Sequence, residues 1–214
     1  MIKYILFDLD ETLYSTETGL MAAIGQRILQ YMQERVGLDP ALARNLRRHY
    51  YQTYGATLKG LQIYHNVDPN DYLAYVHDVP LGDYLQPDEA LDRALAGIQA
   101  EKIVFTNATT EHARRVLRFL GIEHHFNCIV DLRAMNYENK PQPEAYRCVL
   151  DTLGARPEEC LLVEDSVRNL RPAKELGMVT VLVNGSEEDG VDFAIDDVAQ
   201  VGEVLRRIQR EGKR

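Results

Sequence analysis

The chain is short of cysteine, of long apolar runs and of positive charge, and each shortage excludes a class of protein. Only three cysteines occur, Cys128, Cys148 and Cys160, far apart and without a CxxC pair. An odd, scattered set builds neither a disulfide framework nor a zinc site, and the thiols inside apolar stretches, Cys128 and Cys160, read as buried structural groups. This favours a reducing, cytoplasmic setting. No apolar run approaches the roughly 20 residues that a membrane-spanning helix needs. The opening run Ile2–Phe7 is short and passes straight into acids, so no secretory leader is expected. Basic residues number 24 against 33 acidic ones, a net charge of −9, with no long Lys/Arg stripe before the C-terminus. Such a field repels polynucleotides and anionic lipid, so neither a nucleic acid polymer nor a membrane is an expected partner. A small anionic substrate stays open, because a local cation reverses the field inside one pocket.

What is present suffices for a core. With 214 residues, 45% of them hydrophobic, the chain fits one large domain or a medium one carrying an insertion. Five short apolar runs, KYILFD, KIVFTN, FNCIVD, CLLVED and VTVLVN, show no polar alternation, as expected of strands covered on both faces. Helical patterns over Glu111–Leu120, Pro143–Leu153 and Val167–Leu176 separate the later runs, and Gly121, Gly154 and Gly177 stop them. The alternation predicts an α/β fold, a Rossmann-like, doubly wound parallel sheet with right-handed crossovers. From about Glu17 to Tyr84 no strand is legible, only helical periodicity: residues 19–37, then 39–55 opening on Asp39-Pro40, then a shorter pattern through Tyr75. A small all-helical cap over residues 17–84 is therefore expected after the first strand, with 1–16 and 85–214 forming the core. Pro87 is expected to open a helix over Asp88–Ala100, and the charged tail RRIQREGKR to fray at its end.

In an open parallel sheet, ligands collect outside the carboxyl ends of the strands. The first run ends in Asp8-Leu9-Asp10-Glu11-Thr12, the second in Thr106-Asn107, the fourth in Glu164-Asp165, with Asn169 one turn into the next helix; Lys140 precedes a Pro-x-Pro helix start. Carboxylates, hydroxyls, an amide and an ammonium from four chain segments suit Mg2+ plus phosphate. Thr106, Asn107, Lys140 and the backbone N–H groups of the loop after Asp8, beginning at Leu9, would donate to phosphate oxygens. Asp8, at the strand tip, is the candidate nucleophile. Asp10 would protonate the leaving alcohol and later deprotonate water, Asp8 and Asp165 would hold the metal, and Lys140 would hold the charge of the intermediate. Glu11 reads as an ordinary loop acid.

Four pieces, FDLDETL, VFTNAT, KPQPEAY and LLVEDSVRN, resemble in order the motifs of the haloacid dehalogenase superfamily of aspartate-nucleophile phosphatases. The resemblance implies a Rossmannoid core, Mg2+ as cofactor and Asp10 lending its backbone carbonyl to the metal while its side chain moves protons. It also implies that Glu164 supports the metal from behind Asp165 or through water rather than as a direct ligand, and that a phosphatase is meant, since the dehalogenase branch lacks a second Asp corresponding to Asp10. DETLYS followed by TGL, HYYQTYGATLKGL and NLRPAKELGM resemble more narrowly the pyrimidine 5′-nucleotidase branch, which releases phosphate from nucleoside monophosphates. On that resemblance the partner is a small phosphorylated metabolite, a mononucleotide, and Tyr14, Tyr50, Tyr51, Tyr54 and Lys59 are candidates to face base or sugar. Bland readings stand beside these. The tyrosines also suit cap-helix packing, Thr12 a brace for its loop, and Asn169 an exposed helix position. Arg47 and Arg48 read as a solvated helix face, and the adjacent His124 and His125 are not expected to point together. Two other functions compete: a sugar-phosphate phosphatase or phosphomutase with the same chemistry, and a receiver-like phospho-switch, against which Asp10 and the insertion argue.

Overall fold

The computed structural model describes residues 1–185 and 190–211, and the last residues of the charged tail, where fraying is expected, lie outside them. The five apolar runs become β1 (Tyr4–Phe7), β2 (Glu101–Phe105), β3 (Cys128–Val130), β4 (Cys160–Glu164) and β5 (Val179–Val183). A sixth strand, β6 (Phe193–Ile195), was not foreseen; three residues after a Gly- and acid-rich stretch carry too little pattern. All pairings are parallel, in the order β3-β2-β1-β4-β5-β6. Both faces are covered, which explains the missing alternation. Ile5 and Phe7 pack with Val104 and Val163 on one side, and Leu6 with Ile103, Phe105 and Leu162 on the other.

Five α-helices lie between β1 and β2, and the first four are α1 (Leu20–Glu34), α2 (Pro40–Tyr54), α3 (Thr57–His65) and α4 (Pro69–Val76). Asp39 caps α2 by accepting from the Ala41 and Leu42 amides, and Pro40 fills the first helical position, where no amide is needed. The third helical pattern splits in two, because Asn66 turns left-handed and Asp68-Pro69 restarts the chain as a new capped helix. Around the sheet follow α5 (Glu89–Ala96), α6 (Thr110–Leu120), α7 (Pro143–Leu153), α8 (Val167–Leu176) and α9 (Val201–Glu211). The fifth is shorter than expected. It stops at Ala96, where the Gly97 amide bonds back to Arg93 and Ala94, because β2 must begin at Glu101. Each helix is held by one apolar face; α6 buries Ala113, Val116, Leu117 and Leu120 at roughly 2 kcal/mol per large side chain. Among the described residues no helix is long and apolar enough to cross a membrane.

Register decides where the chemistry goes. Phe7 lies opposite both Val104 and Val163, so Asp8, Thr106 and Glu164 leave the sheet at one edge.

Candidate active site

Asp8 is tied to the sheet by its amide, which donates to the Val163 carbonyl at 2.9 Å. The Lys140 ammonium, 1% exposed, donates to Asp8 Oδ1 and to Glu164 Oε2, each at 2.7 Å, and lies 5.0 Å from the Phe105 ring centre. A buried ammonium demands such partners. Yet one cation serves two buried carboxylates. Burial, with the Glu164 charge beside it, pushes the Asp8 carboxyl up to about 7 against the pull of Lys140. Burial likewise lifts Glu164 to about 7, and lifts Asp165, with Asp8 close by, to about 6. Burial alone would lower Lys140; the two carboxylates outweigh it and hold the ammonium above its ordinary range. The site is short of positive charge. Asp8, Glu164 and Asp165 offer oxygens all within 4.8 Å of one another, a carboxylate-only set whose hardness fits Mg2+ and not a soft metal.

Asp10 has a different environment. The Tyr14 hydroxyl donates to its Oδ1 at 2.6 Å, and His112 Nε2 stands 3.5 Å from the same oxygen, without the alignment of a hydrogen bond. Burial would raise the Asp10 carboxyl, but His112 and Tyr14 outweigh it and hold it below its ordinary value. His112, 1% exposed on α6, stacks on His77 from the end of α4 at 4.1 Å; burial and His112 push His77 down to about 3, so that ring is neutral. This pair was missed, and no local signal offered it, since the two rings meet only through the fold. Glu11 also exceeds its ordinary reading: its φ of 62° is left-handed and it lines the cavity beside Asp10.

The remaining strand-end residues mostly brace. Thr12 points its hydroxyl at Asp8 Oδ2, 3.5 Å away. Thr106 lines the cavity while its Oγ1 accepts from the Ala108 amide at 3.0 Å. Asn107, expected to donate to phosphate, closes onto the Lys140 backbone instead: Nδ2 donates to the carbonyl at 3.1 Å and Oδ1 accepts from the amide at 2.8 Å. The Leu9 side chain is fully buried, so only its backbone is offered to a ligand. Asn169 is no exposed helix residue; its Nδ2 donates to Glu164 Oε1 at 3.1 Å. Asn139, also missed, links the Tyr54 carbonyl at the end of α2 to the Lys140 loop. There α2 ends on Gly55, whose φ is +84°, and a Cβ would collide with the Pro141 ring, so this close approach requires glycine.

A family model described as haloacid dehalogenase-like hydrolase matches residues 2–177. The chain belongs to that family. Phosphate metabolism protein 8 of Saccharomyces cerevisiae is 30% identical over 196 residues, covering 84% of this chain and spanning 61% of that protein. Glyceraldehyde 3-phosphate phosphatase of Methanocaldococcus jannaschii is 23% identical over 239 residues, covering 99% of this chain and 100% of the relative. The solved structure of a HAD phosphatase from Thermococcus onnurineus shares the fold, with a TM-score of 0.64 at 19% identity, covering 95% of this chain and 98% of that one.

In this haloacid dehalogenase-like hydrolase a cavity of about 820 Å³ opens over the strand ends, with α2 along one wall. Arg47 and Arg48 line it with Arg44 and Arg168; Arg48 is exposed, in keeping with a solvated face, whereas Arg47 is half-buried, which corrects its reading as a solvated residue. Of the five candidates for base or sugar contact, Tyr51 lines the cavity and the others are engaged elsewhere. Tyr14 serves Asp10. Tyr50 is 3% exposed over Gly60, with its hydroxyl 3.0 Å from His65 Nε2. Tyr54 pairs with the Tyr64 hydroxyl and Lys59 with Glu138, each at 2.8 Å. His124 and His125 do converge, contrary to expectation: their Nε2 atoms lie 3.2 and 2.8 Å from Asp92 Oδ1, because the short helical turn Glu123–His125 folds both rings toward α5.

Proposed function

We propose that the chain is a Mg2+-dependent phosphatase that hydrolyses a small phosphate monoester through an aspartyl-phosphate on Asp8. The observation that carries this reading is the Lys140 ammonium buried between Asp8 and Glu164, beside a carboxylate-only cluster. Glu164 has both oxygens engaged, by Lys140 and Asn169, which favours Asp8 and Asp165 as direct ligands, with the Asp10 carbonyl beside them. Bound there, Mg2+ offsets the carboxylate charge and polarises the phosphoryl oxygens. Lys140 holds one Asp8 oxygen, so the other attacks phosphorus, and the ester O–P bond breaks. Asp10 passes to the departing alkoxide the proton it took from water in the preceding turnover and, ionised again, takes a proton from the water that cleaves the Asp8–phosphate bond. Tyr14 and His112 hold Asp10 ionised in the resting protein, the form the second step needs. The Thr106 hydroxyl and the backbone amides from Leu9 onward orient the phosphate; Asn107 contributes by fixing the Lys140 loop.

We place the cap at residues 17–84, on the core formed by 1–16 and 85–214, and assign it the exclusion of water from the cavity. The substrate is a nucleoside 5′-monophosphate, pyrimidine by the sequence resemblance. A cavity of about 820 Å³ has room for one, and Tyr51 offers an aromatic face. The withdrawal of Tyr50, Tyr54 and Lys59 from the cavity favours a second reading, a sugar-phosphate phosphatase, as does the name of the methanogen relative. Phosphate release from a panel of mononucleotides and sugar phosphates, with Mg2+ and with EDTA, tests both. Metal-dependent turnover with mononucleotides ahead is expected. Turnover of glucose phosphates alone removes the nucleotide, and a long-lived phosphoprotein without turnover removes the phosphatase.

A further inference from the structure

Arg44, Arg47 and Arg48 line the cavity and have no hydrogen-bond or ion-pair partner among the described residues. Elsewhere Arg118, Arg133, Arg147 and Arg156 each meet a carboxylate, while the exposed Arg114 and Arg171 have no ion pair among the described residues. With a net charge of −9, acids are plentiful, yet among the described residues none forms an ion pair with these three. A second observation shows that Arg47 is seated and not merely extended. Gly25, in the interior of α1, is buried, and a Cβ there would lie 2.7 Å from an Arg47 guanidinium nitrogen. Helix interiors disfavour glycine, and here the missing side chain is the space the guanidinium occupies.

The direction of α2 gives this array a distance from the chemistry. Its C-terminal end touches the catalytic edge, Gly55 against Lys140 and Tyr51 within the field of Asp165 and Glu164. Arg48, Arg47 and Arg44 lie progressively farther back, and at about 1.5 Å per residue Arg44 stands about 10 Å from Tyr51 along the axis. The cavity thus has a carboxylate–lysine end that takes one phosphate and a guanidinium wall one to two turns away. Arg44 and Arg48 are exposed and meet solvent, but Arg47 is half-buried, and a neutral base or sugar would leave its guanidinium without an anion. A guanidinium presents paired donors that match a carboxylate or a phosphate.

Resting on the phosphatase reading, we infer that the substrate carries a second anionic group, carboxylate or phosphate, distal to the scissile monoester and held by Arg44, Arg47 and Arg48. Specificity then lies in charge at the far end of the molecule, with Tyr51 between the two anions.

Matched pairs test this on the full-length chain with Mg2+: orotidine 5′-monophosphate against uridine 5′-monophosphate, and 6-phosphogluconate against the equally open-chain glucitol 6-phosphate. Within each pair the difference is a distal carboxylate. On at least one scaffold the acidic member should lead in kcat/KM by about tenfold or more, the size of one charge-assisted hydrogen bond. Arg47→Ala and Arg44→Ala should each shrink that ratio severalfold, Arg47→Lys should keep part of it, and Gly25→Ala should shrink it by displacing the guanidinium. The ratio cancels any loss of folded protein, so a destabilised variant remains informative. Ratios near one on both scaffolds, or a ratio that no arginine substitution moves, overturn the inference alone, provided p-nitrophenyl phosphate is hydrolysed. If that activated ester is also inert, the phosphatase reading falls and takes the inference with it.

Discussion

The two ends of the cavity are built on opposite rules. At the strand tips Lys140, Asp8, Glu164, Asn107 and Asn169 are locked to one another, while along α2 three arginines have no hydrogen-bond or ion-pair partner among the described residues. The first end resembles a machine part held rigid for a reaction that does not change; the second is a wall with its recognition capacity left open. Such a contrast predicts that damage at the strand tips abolishes turnover, whereas damage along α2 changes which molecule is turned over.

Substitutions sharpen the comparison, beginning with the largest effect. Asp8→Asn should lower phosphate release by about a thousandfold or more while the melting temperature holds, because the nucleophile goes and the shape stays. Lys140→Ala should also abolish turnover, and it should destabilise by about 3–5 kcal/mol by stranding two buried carboxylates, lowering Tm by about 10 °C in calorimetry. Tyr14→Phe removes the 2.6 Å donor to Asp10 and should cut kcat roughly tenfold with KM nearly constant, in steady-state kinetics. A pH series on the metal-free protein addresses the strand tips as a whole. Carboxyls held up at about 7 and 6 keep protons in the folded state that the unfolded chain has already released. Stability should therefore fall as pH rises from the ordinary carboxylate range through about 7, and Mg2+ should raise Tm more at pH 8 than at pH 5. The smallest effect belongs to Tyr54→Phe, which should leave kcat/KM within about twofold, since that hydroxyl meets Tyr64 and not the cavity. A large loss there would move the recognition wall and break the comparison.

The same contrast explains what was legible. FDLDET, VFTN and LLVED announce themselves because a buried parallel strand is an apolar run and its tip is a fixed address, so Asp8, Thr106 and Glu164 could be placed from periodicity alone. Lys140 came from its Pro-x-Pro neighbourhood, but the clamp formed by Asn107 and Asn139 did not, because an amide gives no hint of which backbone it will meet. On α2 the periodicity found the helix and missed its orientation. Tyr50 and Tyr51 are neighbours in sequence, yet one packs over Gly60 and the other lines the cavity, and that choice depends on how α2 sits against α3 and the core. Arg47 was read as solvated for the same reason. His112 and His77 meet only after α4 and α6 have packed, and β6 is too short to leave a pattern.

The central claim is that Asp8 forms a covalent bond to phosphorus and Asp10 moves the protons that make and break it. Asp10→Asn slows the second proton transfer, so this variant, mixed with Mg2+ and a turned-over phosphate ester and quenched in acid, should accumulate the covalent intermediate. Peptide mass spectrometry should then find one phosphoryl group on the peptide bearing Asp8 and none when Asp8→Asn is combined with it. A phosphoryl group on another residue, or full turnover in the Asp8→Asn chain, would contradict the account.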